Sequence, residues 1–432
     1  MKDSIMKFFG AVWRRAQFSL RTLLLAVLVV SLPLAILGNR ERQYRARLAA
    51  VRLLNDEGHT VCGYINGRED ADSYRYFGDN DDVVPRDDMA VPGRRDVVDY
   101  VGAASGSVSD DAVAAMLCFP TAKSLDLSGS KITDEQLIRL AKLTRLERLD
   151  LRETQIGDEG IRHLDAMRSL GVLNLSKTQV TGGAFKYLGS LGALEELGLD
   201  GTPFTDEGAR YLADLASLRV LHLSGTRITD EGVRRLAALR TLRVLDLSGT
   251  TVTDDGVRHL AVLASLRELT LIGTKITGSA FNDLANLHEL RHLNLRETRL
   301  SDESAQFLPR LRSVRQINVS ATAISGAALA HLSRMSLRDL DLGQCREICD
   351  GDLAQLGRIK GLHSVELMDT SVTADGVARL HALLPNAYIL WGPIDNLKRI
   401  EPDPGGKYVY TEDEFYTEDE FYKNEAAILL TR

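Results

Sequence analysis

The most regular feature of the chain is a hydrophobic position that recurs every 24 residues. The positions of this series are Leu146, Leu170, Leu194, Leu218, Leu242, Leu266, Leu290 and Val314. Within each repeat, a Leu-x-Leu pair such as Leu245 and Leu247 has the two-residue period of a short strand with one buried face. A period of this length, repeated so often, predicts a solenoid in which successive coils share one hydrophobic interior.

The repeats continue on both sides of this series. Residues 98–121 form a degenerate opening repeat. Downstream, Leu337 comes one residue early and Leu362 one residue late, and the array ends near Pro385. The total of about twelve repeats is far above the three or so that a stable array needs. We therefore place the repeat domain at residues 98–392.

Each repeat also predicts a turn and a short helix after its strand. Ile228 fills the interior of the turn, and either Thr229 or Asp230 can cap the helix that follows. Val233 and Leu236 are spaced to pack that helix onto the strand layer. The expected fold is an α/β solenoid, a horseshoe with parallel strands on the concave face and short helices on the convex face.

One threonine recurs at an inward corner of the repeats. This threonine column consists of Thr154, Thr178, Thr202, Thr226, Thr250, Thr274, Thr298, Thr322 and Thr370, and Cys345 replaces it in one repeat. Buried backbone groups need hydrogen-bond partners, so we expect each hydroxyl to satisfy a backbone group of the neighbouring coil. The column is interpreted as structural and not as a set of nucleophiles.

The consensus phrase LxxLxLxxTxITDxGLxxLxxL resembles the leucine-rich-repeat family over residues 98–390. The threonine version with 24-residue spacing is similar to the bacterial form, and the cysteine variants resemble the class known from ubiquitin-ligase recognition subunits. The FSLRTLLL segment, a helix at Leu48–Leu54 and a Gly-His-Thr-Val strand also resemble a bacterial group of envelope-anchored repeat proteins. The resemblance implies a protein-binding scaffold without catalytic activity.

An apolar segment precedes the repeats. Residues 1–19 are basic and residues 20–38 form the expected transmembrane signal anchor, within which Thr22–Gly38 carries no charge. Those 17 residues would make a helix of roughly 25 Å, slightly short of the ~30 Å hydrocarbon core. A cleaved signal peptide and a buried core helix are alternatives, although bulky Ile36 makes a poor cleavage site near Gly38.

Basic residues flank this segment on both sides, so the positive-inside rule gives almost a tie. We favour a cytoplasmic amino terminus, because long domains translocate largely regardless of their charge. The expected location is the cell membrane, with a single pass and the repeat domain outside the cytoplasm.

The remaining segments are acidic. The chain of 432 residues is 44% hydrophobic and carries a net charge of −7, which argues against a nucleic-acid-binding protein. We interpret residues 39–97 as a helix followed by an acidic linker or cap. Residues 393–432 are expected to be a disordered tail that contains the duplicated hexapeptide YTEDEF; from residue 394 onward, ten acidic and five basic residues give −5.

Motifs that suggest chemistry are weak. His288–His292 matches the zinc-protease pattern HExxH, but its repeat register places it across a loop and a strand, where the required helix is absent. Cys345 and Cys349 align with threonines of other repeats and lack further ligands. We therefore expect no enzyme activity, no cofactor and no metal.

The exposed strand positions are the candidate partner-binding residues. On the concave face these are Asp150, Arg152, His222, Asp246, Asn294 and Asn318. A second set, the arginine column, consists of Arg219, Arg243, Arg267, Arg291, Arg315 and Arg338. The aliphatic stems of these arginines can cover the strand entry, or the column can be an anion-favouring ridge partly offset by acids such as Glu268 and Asp339.

These observations predict a membrane-anchored leucine-rich-repeat scaffold that binds a protein partner. The alternative is a soluble or secreted recognition adaptor similar to the ubiquitin-ligase subunits. Such an adaptor would need an F-box-like helical segment, which residues 39–97 do not show.

Overall fold

The structure is a computed structural model. It describes residues 42–43, 45–64, 97–102, 106–393, 395, 397–400 and 410–411. The chain divides into two compact units. The N-terminal unit holds Met1–Ala104 and Val108–Lys123, and the solenoid unit holds Ser105–Ser107 and Ser124–Arg432.

The N-terminal unit contains two helices and a pair of strands. Its elements are α1 (45–56), β1 (Thr60–Tyr64), β2 (Val97–Gly102) and α2 (Asp110–Met116), with β1 and β2 antiparallel. Ser109 caps α2: its hydroxyl accepts from the Ala112 amide and donates to the Glu57 carboxylate at 2.8 Å. Leu54 and Met116 are fully buried. The helix and strand predicted before the acidic segment are therefore both present.

The strands of the solenoid unit follow chain order in one sheet. They are β3 (Ser124–Asp126), β4 (Arg148–Asp150), β5 (Val172–Asn174), β6 (Glu196–Gly198), β7 (Val220–His222), β8 (Val244–Asp246), β9 (Glu268–Thr270), β10 (His292–Asn294), β11 (Gln316–Asn318), β12 (Asp339–Asp341), β13 (Ser364–Met368), β14 (Tyr388–Gly392), β15 (Lys398–Ile400) and β16 (Tyr410–Thr411). From β3 to β14 neighbouring strands are parallel, and β15 and β16 are antiparallel to their neighbours.

The strand register confirms the repeat register predicted from the sequence. Leu149 lies opposite Leu173, and Leu173 lies opposite Leu197. The early and late leucines are accommodated without a break, because Leu340 pairs with both Ile317 and Val365. Each repeat therefore forms one coil, and its strand leucines enter the shared buried interior.

Short helices form the opposite face of the coils. The α-helices are α3 (Asp134–Leu140), α4 (Asp158–Ile161), α5 (Asp206–Leu212), α6 (Asp230–Leu236), α7 (Asp254–Arg258), α8 (Asp302–Ala305), α9 (Gly326–Leu332), α10 (Leu353–Leu356) and α11 (Ala374–Leu383). The 3₁₀ helices are Leu164–Ala166, Gly183–Ser190, His259–Val262, Ser279–Asn282, Leu284–Asn286 and Leu308–Arg310. In two coils the first helix after the strand is a 3₁₀ helix, Gly183–Ser190 in one and Ser279–Asn282 in the other. The residues before these helices, Gly182 and Gly278, have left-handed φ angles of 102° and 98°.

The threonine column is buried as expected except at the half-buried Thr370, but its hydrogen bonds differ from the prediction. Each of its nine hydroxyls donates to the carbonyl three residues earlier in its own coil, at 2.6–2.7 Å. The expectation of a bond to the neighbouring coil was wrong, because the tight turn after the strand brings that local carbonyl closer. Cys345 alone reaches the preceding coil, at the Val319 carbonyl (3.3 Å).

Side-chain hydrogen bonds between neighbouring coils come from a set of aspartates near the helix starts, which we call the aspartate ladder. Its members are Asp134, Asp158, Asp206, Asp230, Asp254, Asp302 and Asp350, and each accepts a hydrogen bond from a backbone amide of the next coil. Thr229 caps its own helix, and the Asp206 carboxylate receives both the amide (2.8 Å) and the hydroxyl (2.6 Å) of Thr229. A Cβ atom at Gly232 would lie 2.3 Å from Oδ1 of Asp206. The repeated glycine therefore makes room for the ladder.

The sheet continues into the segment that the sequence predicted to be a disordered tail. Lys398–Ile400 pairs with β14, and Tyr410–Thr411 pairs with Lys398–Ile400. Ile400 is buried, and the Lys398 ammonium lies 5.3 Å from the Trp391 ring centroid. The prediction of disorder was wrong at these strands, because apolar burial and backbone pairing outweigh the acidic composition there. The duplicated hexapeptide lies almost entirely outside the described residues.

The predicted anchor at residues 20–38 also lies outside the described residues. Among the helices that the structure does describe, none is both long and apolar enough to span a bilayer. The anchor therefore stays a prediction from the sequence.

Candidate functional site

The third residue of successive strands forms a polar column across the sheet. Its members are Asp126, Asp150, Asn174, Gly198, His222, Asp246, Thr270, Asn294, Asn318, Asp341 and Glu366, which lie opposite one another in register. All are half-buried except Gly198, which is buried. The predicted concave-face residues of this series therefore share one surface of the sheet, which we call the strand face.

Most members of the polar column have a structural role that the sequence analysis missed. The side-chain oxygen accepts from the amide two residues later at Asp126, Asp150, Asn174, Asp246, Asn294, Asn318 and Asp341, at 2.8–3.1 Å. This contact satisfies an amide where the chain leaves the strand, which explains the preference for Asp and Asn. The recurrence of these two residue types was the available signal.

Several candidate residues also contact one another. Arg152 and Asp150 form an ion pair at 2.8 Å, and the hydrogen bond that the guanidinium donates to this carboxylate raises the pKa of Arg152. Asn318 donates to Oδ2 of Asp341 at 2.6 Å, while burial raises the pKa of Asp341. Asn294 has no side-chain hydrogen-bond partner among the described residues. Its side-chain oxygen accepts from the backbone amide of Arg296. The strand face thus contains polar side chains that are paired with each other and polar side chains that are not.

The arginine column lies immediately before the strands. Its backbone forms a continuous ladder, in which the amide of each arginine after Arg219 donates to the carbonyl of the arginine one coil earlier at 2.7–2.9 Å, and the Arg219 amide donates to the Glu195 carbonyl at 2.8 Å. The six side chains are exposed or half-buried. Adjacent guanidinium groups therefore start from backbones only about 4.8 Å apart.

Two of these arginines are neutralised by acids, though not by those expected. Arg219 pairs with Glu195 at 3.3 Å, and Arg267 pairs with Glu289 at 2.9 Å. The expected partner Glu268 instead lies 3.8 Å from His292.

The other expected acid, Asp339, accepts from Gln316 at 2.6 Å. Neither acid forms an ion pair with an arginine of the column among the described residues. The other four, Arg243, Arg291, Arg315 and Arg338, form no ion pair with an acid in the described part of the chain, and Arg315 donates to the carbonyls of Arg312 and Val314.

Three side chains near the middle of the strand face could hold a metal ion. One ligand atom from each of Asp200, His222 and Asp246 lies within 4.8 Å of the others. Burial raises the pKa of Asp246, and the nearby Asp200 adds to that effect, whereas Ser248 and His222 oppose it. No metal was expected from the sequence, and Asp200 was not among the predicted site residues.

The motifs that suggested chemistry have the surroundings predicted for them. His288 and Glu289 lie in a turn and His292 opens β10, so the HExxH pattern is not a helix. Cys345 is buried, and burial raises the pKa of its thiol. Cys349 is exposed, and its thiol donates to the Asp352 carboxylate at 3.2 Å.

Comparisons with known proteins identify the repeats. The sequence profile described as "Leucine-rich repeat region" matches residues 156–327, and the one described as "Leucine Rich repeat" matches residues 142–164. A search of curated proteins finds no match.

The chain is similar to two solved leucine-rich-repeat proteins, of which the first has the same fold. The chain is similar to internalin F of Listeria monocytogenes, with 22% identity, a TM-score of 0.51, and coverage of 67% of this chain and 85% of that one. A leucine-rich-repeat protein of Leptospira interrogans matches with 17% identity, a TM-score of 0.35, and coverage of 66% and 92% respectively. The solenoid unit is therefore a leucine-rich-repeat fold, with parallel strands on one face and short helices on the other.

Proposed function

We propose that this protein is a membrane-anchored, non-catalytic scaffold whose strand face binds a protein partner. The observation that carries the proposal is the in-register polar column, which extends over eleven consecutive strands and presents a half-buried side chain on every strand except β6, where the position is Gly198. Function in a solenoid resides in positions that vary between coils and reach the solvent, and these half-buried positions do both, although seven of them also accept a backbone amide.

The arginine column favours an acidic surface on the partner. Arg243, Arg291 and Arg338 form no ion pair with a described acid, and their backbones are fixed by the main-chain ladder. A guanidinium group binds carboxylates in a bidentate geometry, so a row of them selects for acidic side chains at matching spacing. The proposed contacts are this column together with Asp150, Arg152, His222, Asp246, Asn294 and Asn318.

The anchor places this face outside the cytoplasm. Residues 20–38 supply an uncharged apolar core with basic residues on both sides, apart from Arg21 near its start. With the amino terminus inside, the solenoid lies in the extracytoplasmic space, where it can meet envelope or extracellular partners. The soluble adaptor is the competing possibility that membrane fractionation distinguishes.

The binding proposal is tested by crosslinking and affinity capture of full-length protein from membranes of the source cells. The double variant Arg243→Glu/Arg291→Glu is compared with Arg210→Glu/Arg310→Glu, which makes the same change of charge on exposed arginines in the helical segments. We expect a protein captured by wild type to be lost with the first variant and retained with the second. Identical captured proteins for all three chains would refute the strand-face proposal.

The anchor is tested separately by carbonate extraction of membranes. Full-length protein is expected to stay in the pellet, and a chain lacking residues 20–38 to enter the supernatant. External protease should digest the solenoid in intact spheroplasts. Release of the full-length chain by carbonate would instead support the soluble adaptor.

A further inference from the structure

Asp200, His222 and Asp246 come from three successive coils. Asp200 follows β6 by two residues, His222 ends β7 and Asp246 ends β8. Their ligand atoms converge to within 4.8 Å of one another on the half-buried strand face. Only the parallel stacking of coils produces this convergence, because the three residues are distant in sequence.

Hydrogen bonds orient both carboxylates before any ligand binds. Oδ1 of Asp200 accepts from the Ser224 amide at 2.9 Å, and Oδ2 accepts from the Ser176 hydroxyl at 3.3 Å. Oδ1 of Asp246 accepts from the Ser248 amide at 2.8 Å and from the Ser248 hydroxyl at 2.5 Å. Outer partners of this kind hold metal ligands in place and support affinity.

The imidazole and one carboxylate oxygen retain free lone pairs. Neither the ring of His222 nor Oδ2 of Asp246 has a hydrogen-bond partner among the described residues. In most strands the column residue itself accepts a hydrogen bond from the amide two residues later. In β7 the amide two residues after His222, that of Ser224, donates to Asp200 instead. This contact gives Asp200 a structural role, but it gives the His222 imidazole none. The three groups therefore have donor atoms close enough together to be considered as ligands of one bound ion.

Gly198 lies between Asn174 and His222 in the polar column. A Cβ atom at this position would lie 2.8 Å from Oδ1 of Asn174 and 3.1 Å from the Ser176 hydroxyl. The missing side chain therefore lets the serine that orients Asp200 approach the sheet closely. This arrangement adds polar groups around the three candidate ligands.

We propose that Asp200, His222 and Asp246 bind a divalent transition-metal ion of the zinc type on the strand face. One imidazole nitrogen and two carboxylate oxygens form a donor set that suits zinc and its neighbours better than calcium or magnesium, which favour all-oxygen sites. Three protein ligands leave coordination positions for water or for an acidic group of a partner. The site does not depend on the proposed scaffold function.

The test is isothermal titration of Zn²⁺ into full-length protein that has been stripped of metal under reducing conditions. The variants Asp200→Asn, His222→Gln and Asp246→Asn each remove one ligand. Asp126→Asn changes a column aspartate that makes the same contact to the amide two residues on, and His292→Gln changes another half-buried strand histidine. Circular dichroism checks that every variant keeps the wild-type fold.

We expect one saturable site in wild type that each ligand variant weakens by more than about tenfold. The two control variants should bind as wild type does. Comparison with the ligand variants distinguishes this site from zinc bound at cysteines elsewhere in the chain. The proposal is overturned if wild type shows no saturable binding, or if His222→Gln and Asp246→Asn bind zinc with wild-type affinity and stoichiometry.

Discussion

Replacing Asp206 by alanine tests the aspartate ladder that joins consecutive helix starts. In the native chain this carboxylate accepts the Thr229 amide at 2.8 Å and the Thr229 hydroxyl at 2.6 Å. Hydrogen bonds to a charged group contribute about 1.5–3 kcal/mol each when buried. Asp206 is half-buried and Thr229 is exposed, so water replaces part of that contribution and about 1 kcal/mol per bond is the better value.

The expected loss for Asp206→Ala is therefore about 2 kcal/mol at the interface between two coils. In a solenoid such a loss is felt locally, because each coil contacts only its neighbours. Hydrogen exchange of the full chain, followed by mass spectrometry, should show the amides of α5 and α6 exchanging about 30-fold faster. Asp206→Asn keeps one acceptor oxygen, so exchange should rise by only about fivefold.

Glu207→Ala is the matched control. Glu207 is the next residue in the same helical turn; it is exposed and makes no side-chain hydrogen bond with described residues. Its replacement should change local stability by less than about 0.5 kcal/mol. If Asp206→Ala exchanges no faster than Glu207→Ala, the ladder contributes nothing measurable and the stacking of coils rests on the apolar interior alone.

Three further substitutions probe the same interior. Gly232→Ala should lower the free energy of unfolding by about 1–3 kcal/mol, because the added Cβ would lie 2.3 Å from the Asp206 carboxylate. The control Gly192→Ala adds a methyl group to open space, so its melting temperature should be nearly that of the wild type. Thr250→Val removes a buried hydroxyl bonded at 2.6 Å and should cost about 1 kcal/mol in urea unfolding; Thr251→Val, at a 3.3 Å contact, should cost clearly less, and equal costs would contradict the assignment. Burial raises the pKa of Asp254, but amide and hydroxyl donors of the next coil outweigh it and lower the pKa overall. Its stabilisation is therefore complete above about pH 4 and lost as pH falls through the lowered pKa, so Asp254→Asn should flatten the decline of melting temperature below about pH 4.

The sequence predicted those features that depend on periodicity. A strict period determines which leucines face inward and which residues pair across strands, so the register of Leu149 with Leu173 follows from counting. The one-residue shifts at Leu337 and Leu362 were also visible in advance. Since only one face of each strand can be buried, the position of the polar column followed as well.

Features that depend on short-range geometry were not predictable in this way. An aspartate at a helix start suits the helix dipole as well as it suits the next coil, so Asp230 left both possibilities open. A threonine hydroxyl has carbonyls on both sides, and only the turn geometry selects the local one. Composition suggested disorder around Lys398–Ile400, where strand pairing decides otherwise. The convergence of His222 and two acids to within 4.8 Å involves three coils and leaves no signature within any one repeat.

The main-chain ladder along the arginine column has a consequence for how such a protein can vary. Every coil presents to its successor the same row of carbonyls that it received, so an entire coil can be gained or lost without leaving a backbone group unpaired. Each such event moves the two ends of the array apart or together by about 4.8 Å. The distance between two partner-binding positions on different coils can thus change only in steps of one strand spacing.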